Sequence, residues 1–436
     1  MRASLAWGAA AFTLALGACG KPPSLDPKAG IGPNPTLPDP QYFFFAPMKL
    51  SPPIGWSEGQ TPKAAPGLTV TKFAGGLRHP RWIYVLPNGD VLVAESDGPS
   101  EVTKRPKDII TRLAMGSVKG GVPPGQRIML FRDTNGDGIA DHHSVFIDHL
   151  NSPFGMALVG NAFYVANTDA LMRYPYRQGA ASMTDPGMKV ADLPAGPINH
   201  HWTKNVIASR DGTKLYVTVG SNSNVSENGM EEEVDRAAIL EVDAATGAKR
   251  LFASGLRNPN GMDWEPSTGQ LWTSVNERDE IGDDLVPDYI TSVRRGGFYG
   301  WPYSYYGQHV DARPYPKRPD LVARAIKPDF AVGSHAASLG FTFANKNALG
   351  PLFREGAFVG QHGSWNRSQP YGYKVIFVPF SGGKPSGMPI DVLTGFLASS
   401  GKAYGRPVGV VIDKGGGLLV ADDAGNAIWR VTAART

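Results

Sequence analysis

The chain has a single cysteine, Cys19, in 436 residues, so no internal disulfide can brace it. Charge is also sparse. Only 19% of residues are Asp, Glu, Lys or Arg, and the formal net charge is +4 with both signs interspersed. No Lys/Arg stripe alternates with exposed aromatics, so nothing points to nucleic acid. There is no G-x-G-x-x-G after a strand, no Walker loop and no H-E-x-x-H, and Gly363-Ser364-Trp365 does not form a G-x-S-x-G elbow. These absences disfavour Rossmann-type nicotinamide or flavin chemistry, ATP use, zinc proteolysis and serine hydrolysis.

What the chain has instead is turns and rings. With 53 Gly, 37 Pro and 10% aromatic residues, the composition predicts an all-β chain with many tight turns and enough bulk for a large core. The N-terminal MRASLAWGAAAFTLALGACG reads as an export signal: Arg2, an apolar run too short to span a bilayer, then small residues. Leu16-Gly17-Ala18-Cys19 resembles a bacterial lipobox, and a lone thiol in an oxidising compartment would otherwise be a liability. The expectation is a signal peptide over 1–18, lipidation at Cys19 and a flexible Pro/Gly-rich tether over 19–41. An extension over 42–67 should then pack on the folded domain of residues 68–436. The protein would sit on the periplasmic side of the bacterial cell envelope, touching the membrane only through its lipid anchor.

From about Leu68 one pattern recurs six times: a Pro/Gly turn, a short apolar strand, a Gly/Asn/Asp turn, and a strand ending in small or polar residues. The copies open at Gly76, His149, Ile198, Ser254, His335 and Gly405. Spacings of about fifty to ninety residues suit four-stranded blades with insertions, which predicts a six-bladed β-propeller. Corresponding positions in a propeller converge on one axis. First-strand entrances carry Arg81, His201, Arg257 with Asn258, and Arg406. Second-strand exits carry Glu95, Asn167, Ser221, Asn276 with Glu277, His362 and Asp422.

Three groups of residues could carry chemistry. His200 and His201 supply imidazoles suited to a base near neutral pH, and neighbours in a strand face opposite ways, so at most one faces the channel. Asp133, Asn135, Asp137 and Asp141 have the alternating oxygens of a Ca²⁺ loop, or of an acidic Asx turn. The loop Asn276–Asp284 is a second oxygen-rich candidate for Ca²⁺. Arg257, Arg367, Lys374 and Arg406 are cations that could meet an anionic ligand at the axis, or pair with Asp422, Asp423 or Glu277.

Taken together, NHHWTKNVIAS, VGSNSN, SGLRNPNGMDW, VNERDEIGDDLVPDY, GGFYGWPYSYYG, HGSWNR, GYKV, GRPVGV and VADDAGN resemble the L-sorbosone dehydrogenase type of protein. More distantly they resemble the soluble pyrroloquinoline-quinone-dependent glucose and aldose sugar dehydrogenases. The resemblance covers about Leu68 to Thr436. It implies a six-bladed propeller that binds pyrroloquinoline quinone beside Ca²⁺ and passes hydride from an aldose or sugar aldehyde to the quinone, with electrons leaving to a periplasmic or membrane acceptor. The pattern H-x4-aliphatic matches His201 to Val206, making His201 the base; the position before it, an acid in the glucose enzymes, is His200. Arg257 would stabilise charge on the cofactor. Asn258, Asn276, Arg367 and Arg406 would bind it, and the backbone carbonyls of Glu277 and Arg278 would bind Ca²⁺. Two other readings make different demands. A Ca²⁺-dependent lactonase-type propeller needs carboxylate and Asn ligands meeting on the axis. A binding propeller without catalysis would pair His201 and Arg257 internally.

Overall fold

Each of the six copies folds into a four-stranded antiparallel sheet, and the sheets stand around one axis as the blades of a β-propeller. A computed structural model of the chain describes residues 25–43, 47–99, 109 and 125–434. The signal segment and Cys19 lie outside the described residues. Blade one comprises Pro80–Val85, Val91–Glu95, Arg127–Arg132 and His142–Ile147. Blade two comprises Met156–Val159, Ala162–Ala166, Ala170–Pro175 and Met188–Asp192. Blade three is built from Val206–Ala208, Lys214–Val219, Ala238–Asp243 and Lys249–Ser254. Blade four is built from Pro259–Trp264, Leu271–Val275, Pro287–Ser292 and Phe330–Ser334. Blade five holds Ser338–Phe343, Gly356–Gln361, Lys374–Ser381 and Ile390–Thr394. Blade six takes Pro407–Ile412, Leu418–Asp422 and Ala427–Ala433 from the C-terminal end of the chain, and Leu68–Gly75 from its N-terminal side. That last pairing, with Leu68 opposite Ala433 and Gly75 opposite Ala427, closes the ring.

The second strand of a blade is covered on both faces by its neighbours, which is why VLVAE, LWTSV and LLVAD are buried at every position rather than at alternate ones. Side chains of adjacent blades fill the wedges between sheets; Trp82, Phe154, Leu339 and Val408 share one such cluster. Near the axis the inner strands come too close for side chains. A Cβ at Gly340 would lie 2.0 Å from the Val408 carbonyl oxygen, and one at Gly261 would lie 2.4 Å from the Phe341 nitrogen.

The described part of the 19–41 segment is not a loose tether. Ile31 and Gly32 add a short strand to the edge of blade four opposite Val332 and Ala331. Leu25 N–H donates to Asp284 at 3.1 Å, Tyr306 hydroxyl to the Gly32 carbonyl at 3.1 Å, and Gln41 N–H to the Ile281 carbonyl at 3.0 Å. An edge strand offers unpaired amides, and a passing extended segment satisfies them. Further along, Lys63 and Ala64 pair with Thr394 and Leu393 of blade five. Trp56 lies among Phe396, Tyr404 and Trp429.

Candidate active site

First-strand entrances and second-strand exits meet at one end of the propeller and are sewn together by backbone hydrogen bonds. Asn276 N–H donates to the Asn258 carbonyl at 3.1 Å, and Ser221 N–H, at the exit of blade three, donates to the Arg257 carbonyl of blade four at 2.8 Å. In blades three and four an entrance and the exits around it therefore lie side by side at this rim.

His201 is half-buried in it, whereas His200 is exposed. The His201 Nδ1 lies 2.9 Å from the Ser221 carbonyl oxygen and 3.0 Å from its hydroxyl. The Ser221 hydroxyl proton is committed to the Ser223 carbonyl at 2.6 Å, so both Ser221 oxygens act as acceptors and the ring proton belongs on Nδ1. That leaves Nε2 with a free lone pair. Burial, then the positive field of Arg257 and His200, holds the His201 pKa well below its usual value, so the ring is neutral at pH 7. Gly220 brings Asn258 to the same place: a Cβ there would lie 2.4 Å from the His201 Cβ and 2.5 Å from the Asn258 Oδ1. That Asn258 oxygen is buried without a hydrogen-bond partner among the described residues.

Arg257 differs from expectation. It is 1% exposed, and its guanidinium donates to the Asn224 carbonyl at 3.3 Å, the Asn224 side chain at 3.0 Å, the Glu277 carbonyl at 2.5 Å and Asp279 at 3.0 Å. With its donors consumed it contacts no ligand directly; it acts on His201 as a fixed charge and anchors the loop after Val275. Asp279 answers it: burial alone would raise its pKa, but Arg257 and His335 outweigh burial and hold it at about 2. The expected Ca²⁺ position on the Glu277 and Arg278 carbonyls fails for the same reason, because the Glu277 carbonyl already faces a guanidinium and a dication would sit against like charge. The Arg278 side chain is itself fully buried, bonded to Glu277 at 3.0 Å and Asp311 at 3.1 Å. Asn276 remains half-buried at the strand exit beside Asn258.

The remaining cations separate clearly. Arg406 lies over the Tyr373 ring at 5.0 Å, and its Nη2 donates to the Ser51 carbonyl at 3.1 Å. Its Nε is buried without a partner, and among the described residues it has no ion pair. Arg367, expected to share the clamp, is held in an ion pair that Arg406 lacks: it donates to the Asp283 carbonyl, pairs with Asp284 at 3.1 Å and stacks on Tyr371, although its Nε too is buried without a partner among the described residues. Lys374 pairs with Asp391 at 2.7 Å. A contact chain crosses the rim towards Arg406: Arg81 lies over Trp202 at 5.7 Å and pairs with Asp423, and His362 Nε2 approaches Asp423 at 2.9 Å. Burial pushes the His362 pKa down to about 4, so it donates there as a neutral ring.

Residues 133–141 form nested Asx turns at a hairpin end. Asp133 accepts the amides of Gly136 and Gly138 at 2.7 and 2.8 Å, Asn135 that of Asp137, Asp137 that of Ile139, and Asp141 that of Thr134. The carboxylates thus face their own backbone, and among the described residues no three His, Cys, Asp or Glu side chains gather as a metal cluster. Sequence reasoning placed Ser221, Arg81 and His362 in the converging sets without giving them a role, named Asp423 only as a pairing partner for other cations, and missed Glu233 and Arg236.

The TrAA12-like family matches residues 124–289 and 308–434, and the chain belongs to it. An uncharacterized protein of Borreliella burgdorferi is 28% identical over 292 residues, 65% of this chain and 76% of that one. The pyrroloquinoline quinone-dependent pyranose dehydrogenase of Coprinopsis cinerea is 24% identical over 426 residues; the match takes 84% of this chain but only 54% of that protein. The holo form of that enzyme's PQQ domain superposes with a TM-score of 0.67 at 21% identity, covering 88% of this chain and all of that domain. A Trichoderma reesei enzyme of carbohydrate-active family AA12 gives 0.68 at 19% identity, covering 86% of this chain and 97% of that one. The propeller is thus shared with quinone-dependent sugar dehydrogenases.

Proposed function

We propose that the protein is a pyrroloquinoline-quinone-dependent dehydrogenase of an aldose or sugar aldehyde, sorbosone-like in type, with His201 as the base. The observation that carries this is the His201 ring: neutral, its Nδ1 proton fixed by Ser221 and its Nε2 without a partner among the described residues, on a residue packed with Asn258 over Gly220. A binding propeller would pair both His201 and Arg257 internally; Arg257 is so paired, whereas among the described residues His201 is paired through Nδ1 only. A metal-dependent lactonase needs carboxylates meeting on the axis, and no such cluster exists among the described residues.

The quinone is a planar, multiply anionic group, and the rim suits it. Arg406 brings a buried cation with a free Nε, while Asn258 and Asn276 bring carboxamides at neighbouring strand ends. When bound, the quinone supplies a two-electron acceptor for hydride. The chain's own part would be to hold it through Arg406, Asn258 and Asn276, and to take on His201 Nε2 the hydroxyl proton of the aldose hemiacetal or of the hydrated aldehyde as hydride leaves the carbon that bears that hydroxyl. The resulting imidazolium is disfavoured by burial and by Arg257, which returns the proton readily to solvent. Ca²⁺ does not fit the Glu277 and Arg278 carbonyls as they stand, and no step here depends on it. Lipidation at Cys19, a place in the cell envelope and a periplasmic or membrane electron acceptor belong to this proposal on the strength of the N-terminal sequence.

Adding the quinone, with and without Ca²⁺, and following dye reduction over a panel of aldoses and aldehydes tests the reading. His201→Ala should cut turnover about 10²- to 10⁴-fold while quinone binding, followed by absorbance, persists. Absence of quinone binding to the unaltered protein would sink the proposal.

A further inference from the structure

Among the described residues the base has no carboxylate partner, yet a buried carboxyl lies behind the residue that holds it. Glu233 closes the single-turn helix Met230–Glu233 and is 6% exposed, whereas Glu231 beside it points to solvent. Its Oε1 accepts the Ser223 hydroxyl at 2.5 Å and its Oε2 accepts the Asn222 N–H at 2.7 Å. The same short arc, Ser221 to Ser223, presents its other side to His201. The Ser223 carbonyl takes the Ser221 hydroxyl proton, and the Ser221 oxygens take the Nδ1 proton. Asn222 also reaches back through its side chain to the Ile198 carbonyl at 2.6 Å, just ahead of the histidines. Three residues after Glu233, Arg236 donates to the Asn199 side chain at 3.0 Å and the Ala195 carbonyl at 2.6 Å. Residues 233–236 therefore grip the segment before His201 and the arc after it.

We propose that Glu233 is the positioning residue of the base: it holds the Ser221–Ser223 arc so that His201 keeps its proton on Nδ1 and its lone pair on Nε2. This deepens the dehydrogenase reading and rests on it for its catalytic consequence. An ionised Glu233 offers an acceptor to both Ser223 and Asn222; a protonated one carries a hydrogen on one oxygen and loses that match. Burial raises the Glu233 pKa, the two hydrogen bonds and Arg236 oppose the rise, and Glu227 adds to it, leaving it at about 7. Among the described residues the charged groups that act most on His201 itself are Arg257, His200 and Arg236. Orientation of the base is thus tied to a group that changes charge near neutrality, and the grip tightens as pH rises.

The test uses the full chain labelled with ¹⁵N-histidine, the His201 signals being assigned by their loss in His201→Ala. In the unaltered protein above pH 7 His201 should show the Nδ1–H tautomer. In Glu233→Gln and in Ser223→Ala that tautomer should lose population. For the same two variants kcat should fall roughly 10- to 100-fold with quinone affinity unchanged, and Glu233→Gln should lose the acid limb of the kcat profile near pH 7. Unchanged His201 signals in a folded Glu233→Gln or Ser223→Ala protein would overturn the proposal. The Ser223 variant decides the matter alone if Glu233→Gln does not fold. Because the spectra need no cofactor, a protein without dehydrogenase activity would refute the function and still report on the positioning.

Discussion

Arg257 and Arg406 both stand at the entrance of a first strand, two residues before Pro259 and one residue before Pro407, and have opposite fates. Arg257, in blade four, is surrounded by acceptors and faces Asp279, whose carboxyl is held at about 2. Arg406, in blade six, has one carbonyl acceptor, a free Nε, and beside it Asp422. Burial raises the Asp422 pKa, and its bonds from Trp429 and Trp56 only partly oppose this, leaving it at about 6. One guanidinium is part of the scaffold; the other is left with capacity for something outside the chain. Position in the repeat decides where a side chain converges, and its local acceptors decide what it is for.

The largest effect that could break this contrast comes from removing each arginine in turn. Arg257→Ala leaves Asp279 buried without its cation and should cost about 3–5 kcal/mol in denaturant unfolding. Arg406→Ala strands no ionised partner and should cost far less stability, yet weaken quinone binding by roughly 10²-fold, about 2.7 kcal/mol. Arg367→Ala is the control, lowering stability through Asp284 without changing quinone affinity. If Arg406→Ala bound the quinone normally, the contrast would lose its functional half.

The sequence made the fold readable because every blade repeats the same turn chemistry and the same buried second strand; LWTSV and LLVAD look alike because both are sandwiched between sheets. It made the rim readable for the same reason, and His201, Asn258 and Arg406 were found there. What stayed hidden was pairing. An arginine in a motif looks equally cationic whether or not acceptors await it, so Arg257 was given a role at the cofactor although its guanidinium is taken up by the chain, and Arg367 one although it pairs with Asp284. Glu233 lies in the run Met230-Glu231-Glu232-Glu233, which reads as a solvated acidic turn. Only burial, a property of the folded chain, separates it from its neighbours. The tether misled likewise: a Pro/Gly-rich stretch carries no sign of the blade edge waiting for Ile31.

A smaller effect sharpens the comparison through pH. Asp279 has a depressed folded pKa, so its pairing contributes stability above the unfolded value near 3.8 that is lost as pH falls toward 2. Asp422, raised to about 6, contributes the opposite dependence: stability fully present below about 3.8 and lost as pH rises through 6. Asp263 and Asp288, both raised by burial to about 6, and Glu233, raised to about 7, add to that side. The melting temperature should therefore peak in weakly acidic buffer and decline on both sides. Asp422→Asn should flatten the alkaline decline, and Arg257→Ala the acid one. A melting temperature that climbs steadily from pH 5 to 8 would contradict the assignment of Asp422.

The smallest effect concerns the acidic loop Asp133–Asp141, the first of the two Ca²⁺ candidates in the sequence. In Asp133–Asp141 the oxygens turn inward onto successive amides, so the loop satisfies itself much as Arg257 is satisfied by its surroundings. Asp133→Ala frees two amides at a half-exposed hairpin end, which water can reach, and should cost about 1 kcal/mol. The loss should be equal in EDTA and in millimolar Ca²⁺, with dehydrogenase turnover unchanged, because no residue of this loop belongs to the rim. A loss seen only with Ca²⁺ present would move the loop into the same class as Arg406, a group whose partner comes from outside the chain.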